Sequence, residues 1–203
     1  VSGSRNFGTL SQMKRDMMAE VAATLAFSTI ANNDKVGVIF FSDKIEKYIP
    51  AQKGKTHVLH IIRELLSFEP NSKGTDMAQA LQYFANAQKR HCTAFLISDF
   101  IGAGAMDKPL LIASNRHEVN AIQIYDRREA ELPNIGLVKF HDAESDKDLW
   151  IDTSLATVRD DYAQAWKQNQ DSLEQLFTRT GVNHISVRTD EDYVKALMHL
   201  FRC

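Results

Sequence analysis

Cysteine, proline and tryptophan are scarce in this chain, with two, four and two examples among 203 residues. The two cysteines, Cys92 and Cys203, are far apart and form no CxxC pair, which excludes a disulfide scaffold and a cysteine-built zinc site. Cys92 lies in HCTAFLIS, a run that reads as a buried strand, where a free thiol behaves as a small hydrophobe. This usage fits a reducing compartment, and a cytoplasmic location is expected. No apolar run approaches the ~18 residues needed to span a bilayer, so membrane attachment would come only through segments outside this chain. No signal peptide is visible either. The charge is balanced, with 24 basic and 26 acidic side chains. The densest basic points, Lys89-Arg90-His91 and Arg127-Arg128, are too short to make a field for nucleic acid or anionic lipid. Catalytic signatures are missing as well: the chain holds no GxSxG, P-loop or HExxH.

What the chain does have is alternation. Apolar residues at Met13, Met17, Val21, Leu25 and Ala26 predict a helix over 10–32, ended by Asn33-Asp34. KVGVIFFS is β-branched and aromatic without a polar alternate, as in a strand covered on both faces. Residues 44–50 alternate and predict an antiparallel edge strand. Helices are predicted over 56–68 and 75–90, then the strand CTAFLISDF, a short helix over 109–115 and the strand EVNAIQIYD. IGLVKFHD and KDLWIDT, separated by AESD, predict a β-hairpin insertion within 132–153. A long helix over 155–180 ends at Gly181, a good residue just past a helix terminus. VNHISVRT is a last strand, and Asp190 is expected to cap a final helix. The opening VSGSRNFG reads as a strand end running into a loop, with the start of the strand missing. Five or so strands alternating with helices imply a doubly wound, mainly parallel, Rossmann-like α/β sheet. No linker divides the chain, so residues 1–203 are expected to form a single domain.

In such sheets ligands bind beyond the carboxyl ends of the strands. Three loops carry oxygen donors to that edge: Ser2 and Ser4, then Thr75 and Asp76, then Asp99. Hydroxyls, a carboxylate and water are hard ligands that suit Mg²⁺ or Mn²⁺, and such a site keeps positive charge for a partner's carboxylate. The same residues have other readings. Serines at 2 and 4 are ordinary loop formers, Thr75 is a good helix N-cap, and Asp99 is a possible structural carboxylate. His57 and His60 are three apart on a helix but lack a third zinc-type ligand nearby, which favours exposed histidines. The aromatic pair Trp150 and Trp166 is a weaker candidate: Trp150 on the hairpin could present a partner surface, although packing against the domain is the commoner fate of such a residue.

The order SxS, GTD, SDF resembles the metal-ion-dependent adhesion site of von Willebrand factor A domains. VSGSRNFGT, DKVGVIFFSDKIEKYIPAQKG, GTDM, LISDF, the hairpin and TDEDYVKALMHLFR more closely resemble the bacterial "domain of unknown function 58" family. This resemblance implies a von Willebrand factor A-like fold, with Ser2, Ser4 and Thr75 as direct metal ligands and Asp99 bonding through water. It also implies work beside a MoxR-type AAA+ ATPase as a protein-interaction module. Two features depart from the motif: its leading Asp would immediately precede Val1, and Arg5 replaces the usual Met. The rival readings are a metal-assisted hydrolase or phosphatase using a serine of SGS, and a metal-free scaffold. Lys73 is the one lysine or histidine near these loops in sequence, which favours binding over catalysis.

Overall fold

A computed structural model of the chain describes the backbone of residues 3–71, 74–102, 104–142 and 147–201, and side chains from residue 12 onward except those of 72, 73, 103, 140–149, 202 and 203. Helix α1 (Gly3–Asn32) is followed by β1 (Val36–Phe41), β2 (Ile45–Gln52), α2 (Lys55–Ser67), α3 (Met77–Ala87), β3 (Thr93–Ser98) and α4 (Asp107–Ser114). Then come β4 (Glu118–Tyr125), α5 (Arg127–Ala130), β5 (Leu137–Asp142), β6 (Lys147–Asp152), α6 (Ala156–Thr180), β7 (Asn183–Arg188) and α7 (Tyr193–Leu200).

The centre is a parallel sheet of order β3-β4-β7. β4 is buried from Val119 through Ile124 because helices cover both of its faces. Val119 and Ala121 point into a cluster with Met77 and Leu81 of α3, Leu110 and Ala113 of α4, and Phe177 of α6. Ile122 and Ile124 point the other way, to Met17 and Val21 of α1 and Leu197 and Leu200 of α7. This is the doubly wound α/β arrangement that the alternating pattern implies. Among the described residues the expected single sheet is divided. β1 and β2 pair antiparallel as a separate unit, as do β5 and β6. β1–β2 has its own core, in which Phe40 and Ile49 meet Val58 and Ile61 of α2 and Ala26 of α1.

Helix ends follow local chemistry. Asn33 takes a left-handed φ of 54° and its N–H returns to Ile30, while Asp34 N–H bonds Thr29 O. Gly181 closes α6 in the same way. α1 begins at Gly3, so helix replaces the expected strand end and loop at Ser4. The apolar spacing of Phe7, Leu10, Met17 and Val21 carries the helical period upstream, which accounts for the difference. α7 is capped by Asp192, which accepts from Val194 N–H, and not by Asp190, which pairs with Arg188. Among the described residues no helix is long and apolar enough to cross a membrane.

Candidate functional site

α3 runs back into β3 through a short connection, so its N-terminus lies at the carboxyl end of β3. Met77 and Phe100 accordingly share one buried cluster. Thr75, exposed just ahead of α3, and Asp99, half-buried just after β3, therefore occupy the same sheet edge. The Thr75 loop is anchored to the turn after β1. Asp76 N–H donates to Ser42 O at 2.8 Å, and Asn71 donates to Glu46 through its backbone at 3.1 Å and its amide at 2.6 Å. Ser42, 3% exposed, donates to Glu46 at 2.6 Å, and this bond above all holds the Glu46 carboxyl below its usual range. Asp76, not Thr75, is the N-cap of α3, accepting from Gln79 N–H. The Thr75 hydroxyl has no capping role.

Asp99 is fixed by a turn that costs energy to hold. Phe100 has φ 58°, a left-handed conformation that a bulky side chain seldom adopts. Its N–H bonds Ser98 Oγ, and its ring meets Phe177 edge-on at 5.4 Å. The Asp99 carbonyl accepts from Gln123, whose amide oxygen accepts from Ser186, so the buried Gln123 links all three parallel strands below the site. One Asp99 carboxylate oxygen accepts from Ile101 N–H at 3.2 Å. The other meets the Lys14 ammonium at 2.8 Å.

Lys14 was not visible as a neighbour in sequence, because 85 residues separate it from Asp99. It sits between Asp99 and Glu129, bonding both carboxylates. Glu129 in turn accepts from Asp126 N–H in the capping box of α5. Burial pulls the Lys14 pKa down, but the two carboxylates outweigh it and the net shift is upward. The site therefore already holds one cation. Ser2 lies outside the described residues, and the side chain of Ser4 is not described. Among the described residues no group of three or more His, Cys, Asp or Glu could hold a metal ion. The expected donor set is of another kind, three hydroxyls and one carboxylate.

The histidine pair divides. His57 is half-buried and bonds Val36 O at 2.8 Å, tying α2 to β1, whereas His60 is exposed near Glu64. Trp150 of β6 is 61% exposed, while the Trp166 ring packs against Tyr125 at a tilt of 37°.

A second constellation escaped the sequence entirely. His117, 3% exposed, packs against Phe84 with the rings tilted at 54° and places Nδ1 3.6 Å from the Cys92 thiol, while its Nε2 has no partner among the described residues. Burial lowers its pKa first, then the neighbouring His91 and Arg116. A depressed histidine favours the fold while neutral, so its contribution is intact above the unfolded value of about 6.5 and is lost as pH falls through the folded value. Stability measured by urea unfolding is expected to drop below about pH 6.5 by up to about 1.4 kcal/mol per pH unit, and His117→Phe to flatten that limb. An unchanged acid limb in the variant would refute it.

The fold defines a doubly wound α/β domain with oxygen donors and a resident ammonium at the carboxyl edge of the sheet. The family described as "Protein of unknown function DUF58" matches residues 1–172. The chain belongs to that family. It is 31% identical over 198 residues to the uncharacterized protein Rv1480 of Mycobacterium tuberculosis, covering 96% of this chain and 62% of that protein. The uncharacterized protein MAV169 of Mycobacterium avium is 30% identical over 158 residues, covering 76% of this chain and 92% of that one. This chain thus spans 62% of the length of the first of these relatives. Among solved structures, an aerotolerance-related membrane protein from Bacteroides fragilis superimposes with a TM-score of 0.56 at 16% identity, covering 91% of this chain and 86% of that one. BatB from Bacteroides thetaiotaomicron gives 0.52 at 15% identity, with the same coverage. At such identities the likeness is one of fold.

Proposed function

We propose that this is a von Willebrand factor A-like protein-binding module whose carboxyl edge takes Mg²⁺ or Mn²⁺ and, through it, an acidic side chain of another protein. The observation that supports the reading is the shared sheet edge of Thr75 and Asp99. An exposed hydroxyl and a half-buried carboxylate are hard donors of the right chemistry. Thr75 and, by the family pattern, Ser2 and Ser4 would hold the ion, with Asp99 bonding a water of its shell. The ion would supply open coordination positions for a carboxylate. Lys14 already compensates Asp99, so a divalent ion has to displace or share with an ammonium. Affinity in this chain is therefore weak. The family resemblance supports a MoxR-type AAA+ ATPase as the assembly mate, and the free thiol of Cys92 supports a reducing, cytoplasmic setting.

Isothermal titration of Mg²⁺ into the chain is expected to give weak or no binding, and tighter binding once an Asp is added immediately before Val1. In that extended chain Thr75→Ala and Asp99→Asn should each weaken Mg²⁺ by on the order of tenfold, since each removes a hard oxygen donor or its charge. Asparagine is chosen because its amide oxygen still accepts from Ile101 N–H. Equal affinity with and without the added Asp would overturn the site. Metal-dependent ester hydrolysis that disappears in Ser4→Ala would instead favour the hydrolase reading.

A further inference from the structure

β5 and β6 pair in register, with Leu137 opposite Asp152, Val138 opposite Ile151 and Lys139 opposite Trp150. Alternation along each strand puts Val138 and Ile151 on one face and Leu137, Lys139, Trp150 and Asp152 on the other. Val138 is buried and Ile151 half-buried, so the first face is the one that packs on the body. The second carries Leu137 and Trp150 on a diagonal across the two strands, a spacing that an aromatic side chain spans. Both are more than half exposed, and so are Ile135 and Leu155 at the neck of the hairpin. Apolar exposure gathered in this way marks a surface for a partner.

The neck holds the face still. Thr153, 1% exposed, gives its N–H to Gly136 O at 2.9 Å. Its hydroxyl donates to the same oxygen at 2.7 Å and accepts from Ile135 N–H at 3.0 Å. Arg159 of α6 donates to the carbonyls of Thr153 and Ser154 at 2.7 and 2.9 Å. A surface fixed beforehand loses little freedom on binding. Leu155 stands at the N-cap of α6 with no side-chain cap bond, a position that leucine fills poorly. That exposed leucine serves neither the helix nor the core.

Charge says what the surface takes. Residues 135–161 hold seven acidic side chains and three basic ones, a net −4 in a chain whose total is −2. The rest of the chain is therefore net positive, and the negative charge is concentrated in the segment that carries the hairpin. Arg159, one of its three cations, is engaged at the neck. Like charge opposes a second copy docking through the same segment, and it opposes an anionic lipid surface. It draws in a cation, and an exposed tryptophan beside leucine is the kind of anchor that carries binding energy.

We infer that the hairpin face bearing Leu137 and Trp150 is a docking surface for a segment of another protein that carries Lys or Arg beside an apolar or aromatic side chain. The apolar group covers Trp150 and Leu137, and the cations answer the acidic segment around them. This surface shares no residue with the carboxyl-edge site and needs no metal, so it stands whether or not that edge binds an ion.

Selection from a phage-displayed library of random short peptides tests this, with the 203-residue chain as bait in the presence of a chelator. The enriched peptides are expected to be net positive and to carry an aromatic or aliphatic residue. A fluorescent copy of the leading peptide should lose affinity by about tenfold or more in Trp150→Ser, and less in a double variant with Asp160→Asn and Asp161→Asn. Its binding should weaken as salt rises. All three residues are exposed, so urea unfolding of both variants should stay close to wild type. Neutral or acidic winners, binding that Trp150→Ser leaves unchanged, or a library that yields nothing above background overturns the inference. So does a dimer in sedimentation that Trp150→Ser abolishes, which makes a second copy the occupant. Capture by phosphatidylglycerol vesicles that Trp150→Ser abolishes makes it a lipid surface and overturns the inference as well.

Discussion

Lys14→Met should lower unfolding stability by about 1–3 kcal/mol while raising the affinity of the sheet edge for Mn²⁺ by on the order of tenfold. The two effects have one cause. The Lys14 side chain is 12% exposed and contacts Asp99 and Glu129, which are 28% and 22% exposed. Removing the ammonium leaves two carboxylates facing each other with their countercharge gone. A fully buried pair broken in this way costs roughly 3–5 kcal/mol, and the remaining contact with water reduces that figure. The vacated charge is what a divalent cation would replace. Methionine keeps most of the volume and the helical propensity of α1, so packing loss contributes little. The pH dependence gives a further check. The folded pKa of Lys14 is raised, so its stabilisation is complete throughout the neutral range and fades only as pH climbs past the ordinary lysine range. Wild type and variant should therefore differ at pH 7 and converge in strong alkali. Urea unfolding and Mn²⁺-enhanced water relaxation measure the two effects. A variant as stable as wild type, with Mn²⁺ affinity unchanged, would show that Lys14 is merely a surface lysine.

Whatever announces itself by local pattern was readable before any coordinates. The consecutive apolar run VNAIQI marks a doubly covered strand. Gly181 marks a helix end, and LVKFHD and KDLWID mark the two paired strands of the hairpin, while AESD between them lies outside the described residues. What failed was competition between neighbours for one role. Thr75 and Asp76 are both good N-caps, as are Asp190 and Asp192, and the choice depends on where the helix docks. α5 is only four residues long, too short for periodicity. Its Asp126-Arg-Arg-Glu129 spacing is a capping-box signal that would have located it. Lys14 left a fainter trace. It falls in step with Met17 and Val21 on the stripe of α1 that packs inward, and a charge on such a stripe calls for a buried partner. Nothing local names that partner, because the contact exists only once α1 crosses the carboxyl end of β3. The division of the expected sheet has the same origin. Apolar patterning marks β1 and β3 as strands for a packed layer but says nothing of which strands they pair with.

Gly37→Val separates strand propensity from packing, because the two give opposite signs. Valine is among the best strand formers and glycine among the worst, so propensity alone favours the variant, on a scale spanning about 1 kcal/mol. Gly37 sits in β1 at a register irregularity between Val36 and Val38. A Cβ built there would lie 2.7 Å from Ile49 O and 2.8 Å from Ala51 N, both backbone atoms of β2. Backbone in a paired strand cannot step aside as a flexible side chain can. Relief requires β2 to separate from β1 locally and give up ladder bonds, with Ile49 drawn out of its contacts with Val58 and Ile61. The strain of such overpacking is about 1–3 kcal/mol even for small additions, and valine adds two methyl groups beyond the Cβ. The expected result is a net loss of roughly 2 kcal/mol in urea unfolding, with Gly37→Ala losing less. Faster amide exchange should appear at Ile49 and Ala51 before it spreads to β4. A Gly37→Val chain as stable as wild type would mean that the close approach of β1 to β2 at this point is not a property of the folded protein.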